Sequence, residues 1–220
     1  MGIGHAAVAL GVSRTAPRIN VGFLIFAAFL ADFLLGIFTA LGLESAHIPA
    51  DYAARHYLTF TFPYSHGLAA LVLWSIVFGA LFCWVGTKNR SRAFWILAAL
   101  VLSHFVLDAL VHVPELPLLG ENSPKLGLAL WNHMPLELTL ESVMAIVALV
   151  FYWTLSSTTT VGRWGMTIFV ALLTALTWTQ LWSATPPSNS QLIPSWIILP
   201  IVLSAIPYLL DRRRVIAATS

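Results

Sequence analysis

Hydrophobic runs dominate the chain and recur with short polar breaks between them. A helix needs roughly 20 mostly apolar residues to cross the hydrocarbon core of a bilayer. Six stretches meet this length and predict transmembrane helices: 21–43, 66–86, 93–113, 135–156, 164–184 and 192–210. The apolar segment 3–12 is too short to span, so we expect an interfacial helix or a half-helix that dips in from one side. The pattern predicts an all-α, polytopic membrane bundle of about six transmembrane helices plus this short N-terminal helix, forming one domain over residues 1–220.

Composition agrees with a chain whose main partner is the lipid bilayer. The chain is 59% hydrophobic and 9% charged, whereas a soluble domain is about 25% charged. It therefore lacks the polar residues that a water-facing surface requires. The formal net charge of +2 gives no reason to expect nucleic-acid binding, and the oligomeric state stays open.

The distribution of Lys and Arg predicts the orientation, because these residues are enriched in cytoplasmic loops. With the N-terminus inside, the inner side receives Arg14, Arg18, Lys88, Arg90, Arg92, Arg163, Arg212, Arg213 and Arg214, and the outer side receives Arg55 and Lys125. We therefore expect both termini in the cytoplasm. No positive charge precedes the first apolar stretch, so we expect no cleaved signal peptide.

Ionisable side chains inside the predicted spans are the main candidates for function, because hydrocarbon penalises them. His104, Asp108 and His112 stand at i, i+4 and i+8 in the third span and share one face. Imidazole and carboxylate one turn apart can converge on a cation such as Zn, Mn or Fe, and the absence of thiolates argues against a soft-metal site. We expect a first ion at Asp32, His66, His104 and Asp108, with His5 adding a ligand to a second ion that Asp108 bridges.

Each of these residues also has a plainer interpretation. Asp32 can make a helix–helix hydrogen bond, and His104 with Asp108 can form a pair that only locks two helices. His66 can cap the second helix, for which Ser65 is a plausible N-cap.

The remaining polar residues divide in the same way. Glu137 fits a capping box at the start of the fourth helix, whereas Glu141 lies one turn deeper and is, with Asp32, a candidate catalytic base. His112 is a candidate metal ligand, and its plainer interpretation, shared with Glu115, is that it marks the outer surface. Glu44, Asp51, Arg55 and His56 are expected in a solvated loop.

Several of these motifs together resemble a known family. A Gly-His pair precedes the first apolar stretch, Asp32 lies in the first span, and PYSHGL and SHFVLDALVHVPELPL follow. This pattern, over roughly residues 1–145, resembles the YdjM-like bacterial inner-membrane proteins, which are described as metal-dependent hydrolases. The helices within 164–210 carry no recognised motif.

The resemblance implies a bacterial inner-membrane location and a zinc site. The family is distantly similar to the zinc-dependent C-type phospholipases and single-strand nucleases, which are helical and hold three zinc ions. Carried over, Asp32, His66, His104 and Asp108 would bind the first zinc, and His5 with Asp108 the second. The third would use His112, His133 and Glu137, although His133 precedes Pro135 and so falls outside the fourth helix.

The leading functional hypothesis is a membrane-embedded metal-dependent hydrolase that acts on a phosphoester in a lipid or lipid-linked substrate. The metal is expected to be Zn, with Mn as the alternative. Two other classes stay open. One is a small proton- or cation-coupled transporter or channel, and the other is a non-catalytic assembly factor whose polar stripe binds helices together.

Overall fold

The computed structural model describes residues 2–86, 90–154 and 159–211. The helices are α1 (Ile3–Val12), α2 (Val21–Ala28), α3 (Leu30–Ala40), α4 (Tyr52–Arg55), α5 (Leu68–Gly86), α6 (Arg90–Val111), α7 (Met134–Trp153), α8 (Thr160–Trp178) and α9 (Asn189–Leu210). Two short antiparallel hairpins pair β1 (Ser45–His47) with β2 (Thr59–Thr61) and β3 (Leu116–Pro117) with β4 (Lys125–Leu126). The predicted inner-side residues Lys88, Arg212, Arg213 and Arg214 lie outside the described ranges.

The largely helical fold predicted from the hydrophobic pattern is confirmed, and helices suited to a membrane are present, whereas six spans are not confirmed in the part of the chain that the structure describes. Four helical segments there are long and apolar enough to cross a membrane: Arg90–Val111, Leu130–Trp153, Thr160–Trp182 and Asn189–Leu210. The pair α2–α3 adds a fifth if its two bent halves count as one span, and the apolar helix at Leu68–Trp84 is shorter than the required length.

The predicted span 21–43 is broken rather than continuous. Its halves, α2 and α3, meet at Phe29 with a bend of 51°. Sharp bends usually occur at proline or at small residues, but phenylalanine occupies this one. The break places Asp32 in the first turn of α3 and leaves the carbonyl of Ala28 at the end of α2, where a side chain from α6 reaches it.

Helix α1 lies inside the bundle. Most of its residues are buried, His5 among them, and it packs against α2 and α7. The burial of α1 agrees better with the half-helix alternative than with an interfacial helix.

Helix α9 packs closely against α2 and α3 because glycines line that contact. A Cβ atom on Gly22 would lie 2.5 Å from the backbone oxygen of Ser204, and a Cβ atom on Gly36 would lie 2.7 Å from Ile197 Cγ1. Small residues of this kind let the backbones of membrane helices approach each other. The last helix is thus held against the half-helices that carry Asp32.

We expect Gly22→Ala to destabilise the bundle by about 1–3 kcal/mol, the usual cost of forcing extra atoms into a packed contact. The new methyl group would overlap backbone atoms of Ser204 and Tyr208, which cannot rotate away. Gly11→Ala is the matched control, because nothing lies within 4 Å of its Cβ position. Thermal unfolding in detergent measures both variants, and equal melting temperatures would show that the contact does not matter.

The loop after α6 folds back onto the end of that helix. Leu128 N–H donates to the carbonyl of Ala109, and Ala129 N–H donates to that of His112, both at 2.8 Å. Gly127 lies so close that a Cβ atom there would be 2.2 Å from the carbonyl oxygen of Val113. The loop therefore fixes the end of α6 at His112.

Candidate metal centre

The polar face of α6 points into the protein. His104, Asp108 and His112 are all buried, and one oxygen of Asp108 lies between the two imidazoles. Asp108 Oδ2 is 3.1 Å from His104 Nε2 and 3.6 Å from His112 Nε2. The spacing of one helical turn, read from the sequence, thus becomes a spatial cluster around one carboxylate.

The other oxygen of Asp108 faces α1. His5 Nε2 lies 3.2 Å from Asp108 Oδ1, and the His5 ring stacks on that of His104 with 3.8 Å between the ring centroids. His5, His104 and Asp108 offer ligand atoms that all lie within 4.8 Å of one another. Asp108 therefore has one oxygen toward His5 and one toward the remaining histidines, as a bridging carboxylate requires.

Asp32 and His66 complete the cluster from α3 and from the turn before α5. His66 Nε2 is 3.1 Å from His104 Nε2, 3.6 Å from Asp108 Oδ2 and 3.8 Å from Asp32 Oδ1. Asp32, His66 and His104 form a second group of ligand atoms within 4.8 Å of one another. The structure thus brings together the side chains for which we predicted metal binding: His5, Asp32, His66, His104, Asp108 and His112.

The partners of the Nδ1 atoms determine which ring nitrogens face the centre. His104 Nδ1 lies 2.7 Å from the carbonyl oxygen of Ala28, which only accepts, so this nitrogen carries the proton. His112 Nδ1 lies 2.6 Å from Glu115 Oε1, which also accepts. In the neutral form of each ring, Nε2 then carries the lone pair and faces Asp108.

The Nδ1 atom of His66 also has a partner that determines its protonation, and here the partner is a hydroxyl group. Ser65 Oγ donates to Glu44 Oε2 at 2.7 Å, so it accepts from His66 Nδ1, also at 2.7 Å. The Nε2 atom of His66 is then a lone pair as well. A carboxylate or carbonyl that orients a ligating imidazole in this way is typical of metal sites.

The centre therefore concentrates nitrogen and oxygen atoms that can bind a metal ion. Nε2 atoms of three imidazoles and the oxygens of two carboxylates meet within a few ångströms. Such an arrangement favours positive charge near the two carboxylates, because buried anions are costly unless they are paired. The donor set, neutral imidazole with carboxylate, fits a divalent ion such as Zn or Mn.

Glu44 was expected in a solvated loop, and this expectation is wrong. Its side chain is buried and accepts hydrogen bonds from the backbone N–H groups of Tyr64 and Ser65, each at 2.8 Å. Burial raises the pKa of Glu44, while hydrogen bonds from Ser65 oppose that rise. Ser65 is likewise no N-cap, since α5 begins at Leu68 and its hydroxyl connects Glu44 to His66.

Glu115 and His112 are both buried, so the plainer interpretation that they mark the outer surface is wrong. Glu115 holds the His112 ring and accepts the backbone N–H of Phe60 at 2.6 Å, which ties the loop of β2 to the cluster. Asp51 and Arg55 are exposed, as predicted, and form an ion pair with each other.

A cavity of about 320 Å³ opens next to the cluster. Asp32, His66, Asp108 and His112 line it from one side, and Glu137 and Glu141 of α7 line it as well. The side chain of Asp32 is 26% exposed, whereas that of Asp108 is 2% exposed. Asp32 is therefore the more accessible carboxylate of the cluster.

Glu137 and Glu141 lie on the cavity wall next to α1. Both are buried, and Glu141 lies against the backbone of Gly2 and Gly4 in the first turn of α1. A helix N-terminus favours a carboxylate at this place. His133, which a third zinc would need, is exposed in the turn before α7 and takes no part in the described contacts of the cluster.

Comparison with protein-family models, with curated proteins and with solved structures gives no match for this chain.

We expect Ser65→Ala to weaken zinc binding by about 10–100-fold, the usual cost of losing a partner that orients a ligand. The change removes the hydroxyl that links Glu44 to His66 and leaves both facing an apolar methyl group. Ser103→Ala is the control, since that hydroxyl bonds only to the carbonyl of Leu100 on its own helix. Competition with a chromophoric chelator measures the zinc affinity of both variants. Equal affinities would show that Ser65 does not orient the His66 ring for metal binding.

Proposed function

We propose that this protein is a membrane-embedded, metal-dependent hydrolase that cleaves a phosphoester in a lipid or lipid-linked substrate. The observation that carries the proposal is the convergence of buried imidazole and carboxylate acceptors beside a cavity among membrane-type helices. These groups come from α1, α3, α6 and the turn before α5, and they are ligand types that a divalent metal ion accepts.

Two ion positions fit the residues. Asp32, His66, His104 and Asp108 would hold one ion, and His5 with the second oxygen of Asp108 would hold another. Zinc suits this donor set best, with manganese as the alternative. When bound, such an ion lowers the pKa of a coordinated water to about 7 and polarises a phosphoryl oxygen.

The chain itself supplies the groups that move protons. Asp32 and Glu141 both line the cavity, and either carboxylate can accept a proton from an attacking water as a general base. His112 is held by Glu115, so its ring keeps one orientation.

The family resemblance and the membrane orientation are part of the same proposal. We infer a YdjM-like inner-membrane protein with six spans and cytoplasmic termini. Three contacts support the proposal that basic residues gather at one end of the bundle. Arg92 donates to the carbonyl of Thr15 at 2.7 Å. Arg14 lies over the ring of Phe151, and Arg163 lies over the ring of Trp153. These arginines belong to different predicted inner loops, so their clustering agrees with the positive-inside rule.

A transporter or channel is the second candidate, and the break between α2 and α3 favours it. Transporters often bind their ions at interrupted helices near the middle of the bilayer, and Asp32 follows directly after this break. In that case Asp32, Asp108 and Glu141 would pass protons or a cation without any bond cleavage.

Purified protein separates the two candidates. We expect stoichiometric zinc or manganese by elemental analysis, and phosphate or phosphoalcohol release from phospholipid or lipid phosphate that stops with a chelator and returns with the metal. Uptake of a labelled cation into proteoliposomes without any hydrolysis would favour transport instead. Protein that neither contains nor binds a divalent metal would contradict the hydrolase.

A further inference from the structure

The last two helices, α8 and α9, lie close together where α8 begins and α9 ends. A Cβ atom on Gly165 of α8 would lie 2.5 Å from Leu210 of α9. About 12 residues further along α8, or roughly 18 Å, both helices line the cavity. Leu173 and Thr177 line it from α8, and Leu199 and Leu203 line it from α9.

The cavity has two chemically different sides. Carboxylates and imidazoles of the cluster line one side, whereas the α8 and α9 side is largely apolar and includes Trp196 and Pro200. Leu199 lines the cavity and is also 51% exposed. It therefore marks an exposed rim on the apolar side of the cavity.

The volume limits what the cavity can hold. At about 320 Å³ it lies at the small end of ligand pockets, which span roughly 300–1,000 Å³. A phosphate with the first part of one hydrocarbon chain fits this space, and a whole two-chain lipid does not. The rest of such a molecule has to extend outward, and the exposed rim at Leu199 provides one exit from the cavity.

We infer that α8 and α9 form a lateral entry and a chain-binding wall for a lipid phosphate. The phosphate lies toward Asp32 and His66, and the first methylene groups lie against Leu173, Leu199 and Leu203. The position of the phosphate rests on the proposed function, because carboxylates repel an anion unless a metal ion lies between them. The contact with the hydrocarbon chain needs no catalysis and no metal.

Photo-crosslinking in lipid nanodiscs tests the wall without relying on turnover. The probe is phosphatidic acid with a diazirine near the ester of one acyl chain, added to zinc-loaded full-length protein in phosphatidylcholine. We expect saturable adducts within 173–180 and 195–203 that unlabelled phosphatidic acid displaces. Non-saturable labelling spread over the exposed faces of α5 and α7 would overturn the inference.

Two tryptophan variants on α9 sharpen the test. Leu199→Trp fills the rim and should lower saturable labelling about tenfold, because each displaced methylene group is worth roughly a factor of four in binding. Ile198→Trp, at a neighbouring position that is 53% exposed and does not line the cavity, should label as wild type. Equal labelling of the two variants would overturn the inference.

A chelator arm separates this inference from the proposed function. If removing the metal abolishes displacement by phosphatidic acid but leaves labelling by a diacylglycerol probe with the same chain, both the wall and the metal-held phosphate are supported. If the chelator changes nothing while Leu199→Trp still lowers labelling, the wall stands and the metal-dependent function fails.

Discussion

We expect Asp108→Asn to lose bound zinc and to lower hydrolysis by more than about 100-fold. Asp108 faces His5 with one oxygen and His66, His104 and His112 with the other. Asparagine keeps the shape but removes the charge, and its amide nitrogen would present a donor where an ion should bind. Losing a residue that only orients a metal ligand lowers metal affinity or activity about 10–100-fold. Losing the shared ligand itself should therefore lower activity by more than that.

The control for this experiment is Asp51→Asn, the same chemical change at an exposed site whose carboxylate pairs with Arg55. Elemental analysis, phosphate release and thermal unfolding are measured on both variants. If Asp108→Asn retains its zinc, the carboxylate is no ligand. If it loses stability while activity per folded molecule stays unchanged, the His104–Asp108 pair only locks helices together.

We expect Glu141→Gln to keep its zinc and to lose hydrolysis by about 10²–10⁴-fold, the range over which a positioned acid or base contributes. Glu141 is buried on the cavity wall and lies next to the first turn of α1. Glutamine can still accept hydrogen bonds there but cannot take a proton from water. The variant therefore separates proton transfer from metal binding.

Glu137→Gln is the matched control, because Glu137 lies one turn away on the same helix and lines the same cavity. We expect a smaller loss of activity and unchanged zinc. Equal losses in both variants would mean that the two carboxylates act as a unit, and loss of zinc in Glu141→Gln would make Glu141 a ligand. Unchanged activity would leave Asp32 as the candidate base.

The stripe on α6 was predictable from sequence because helical periodicity alone places residues four apart on one face. Its partners His5, Asp32 and His66 were predictable as ionisable residues in apolar surroundings. Periodicity could not show that they meet, since their approach depends on how α1 and α3 pack against α6. The structure supplies that information, with His5 and His66 both within 3.6 Å of Asp108.

Glu44 and Glu115 were misplaced because their roles depend on loop geometry. Polar residues between spans usually face water, so composition favoured a solvated loop. Glu44 instead accepts from a serine 21 positions later in the chain, and no local pattern encodes such a contact. The break at Phe29 was missed for a similar reason, since neither proline nor glycine occupies it. The carbonyl of Ala28 at this break is bonded to His104, a histidine on another helix.

The cluster draws its side chains from widely separated parts of the chain, from His5 to His112. During synthesis, a chain that has grown only through α5 carries His5, Asp32 and His66. It still lacks His104 and Asp108 of α6, which join these three side chains. The complete set of candidate ligands therefore exists only once α6 has been inserted. Until then Asp32 lacks its neighbours on α6, and early intermediates of membrane insertion should be less stable than the finished bundle.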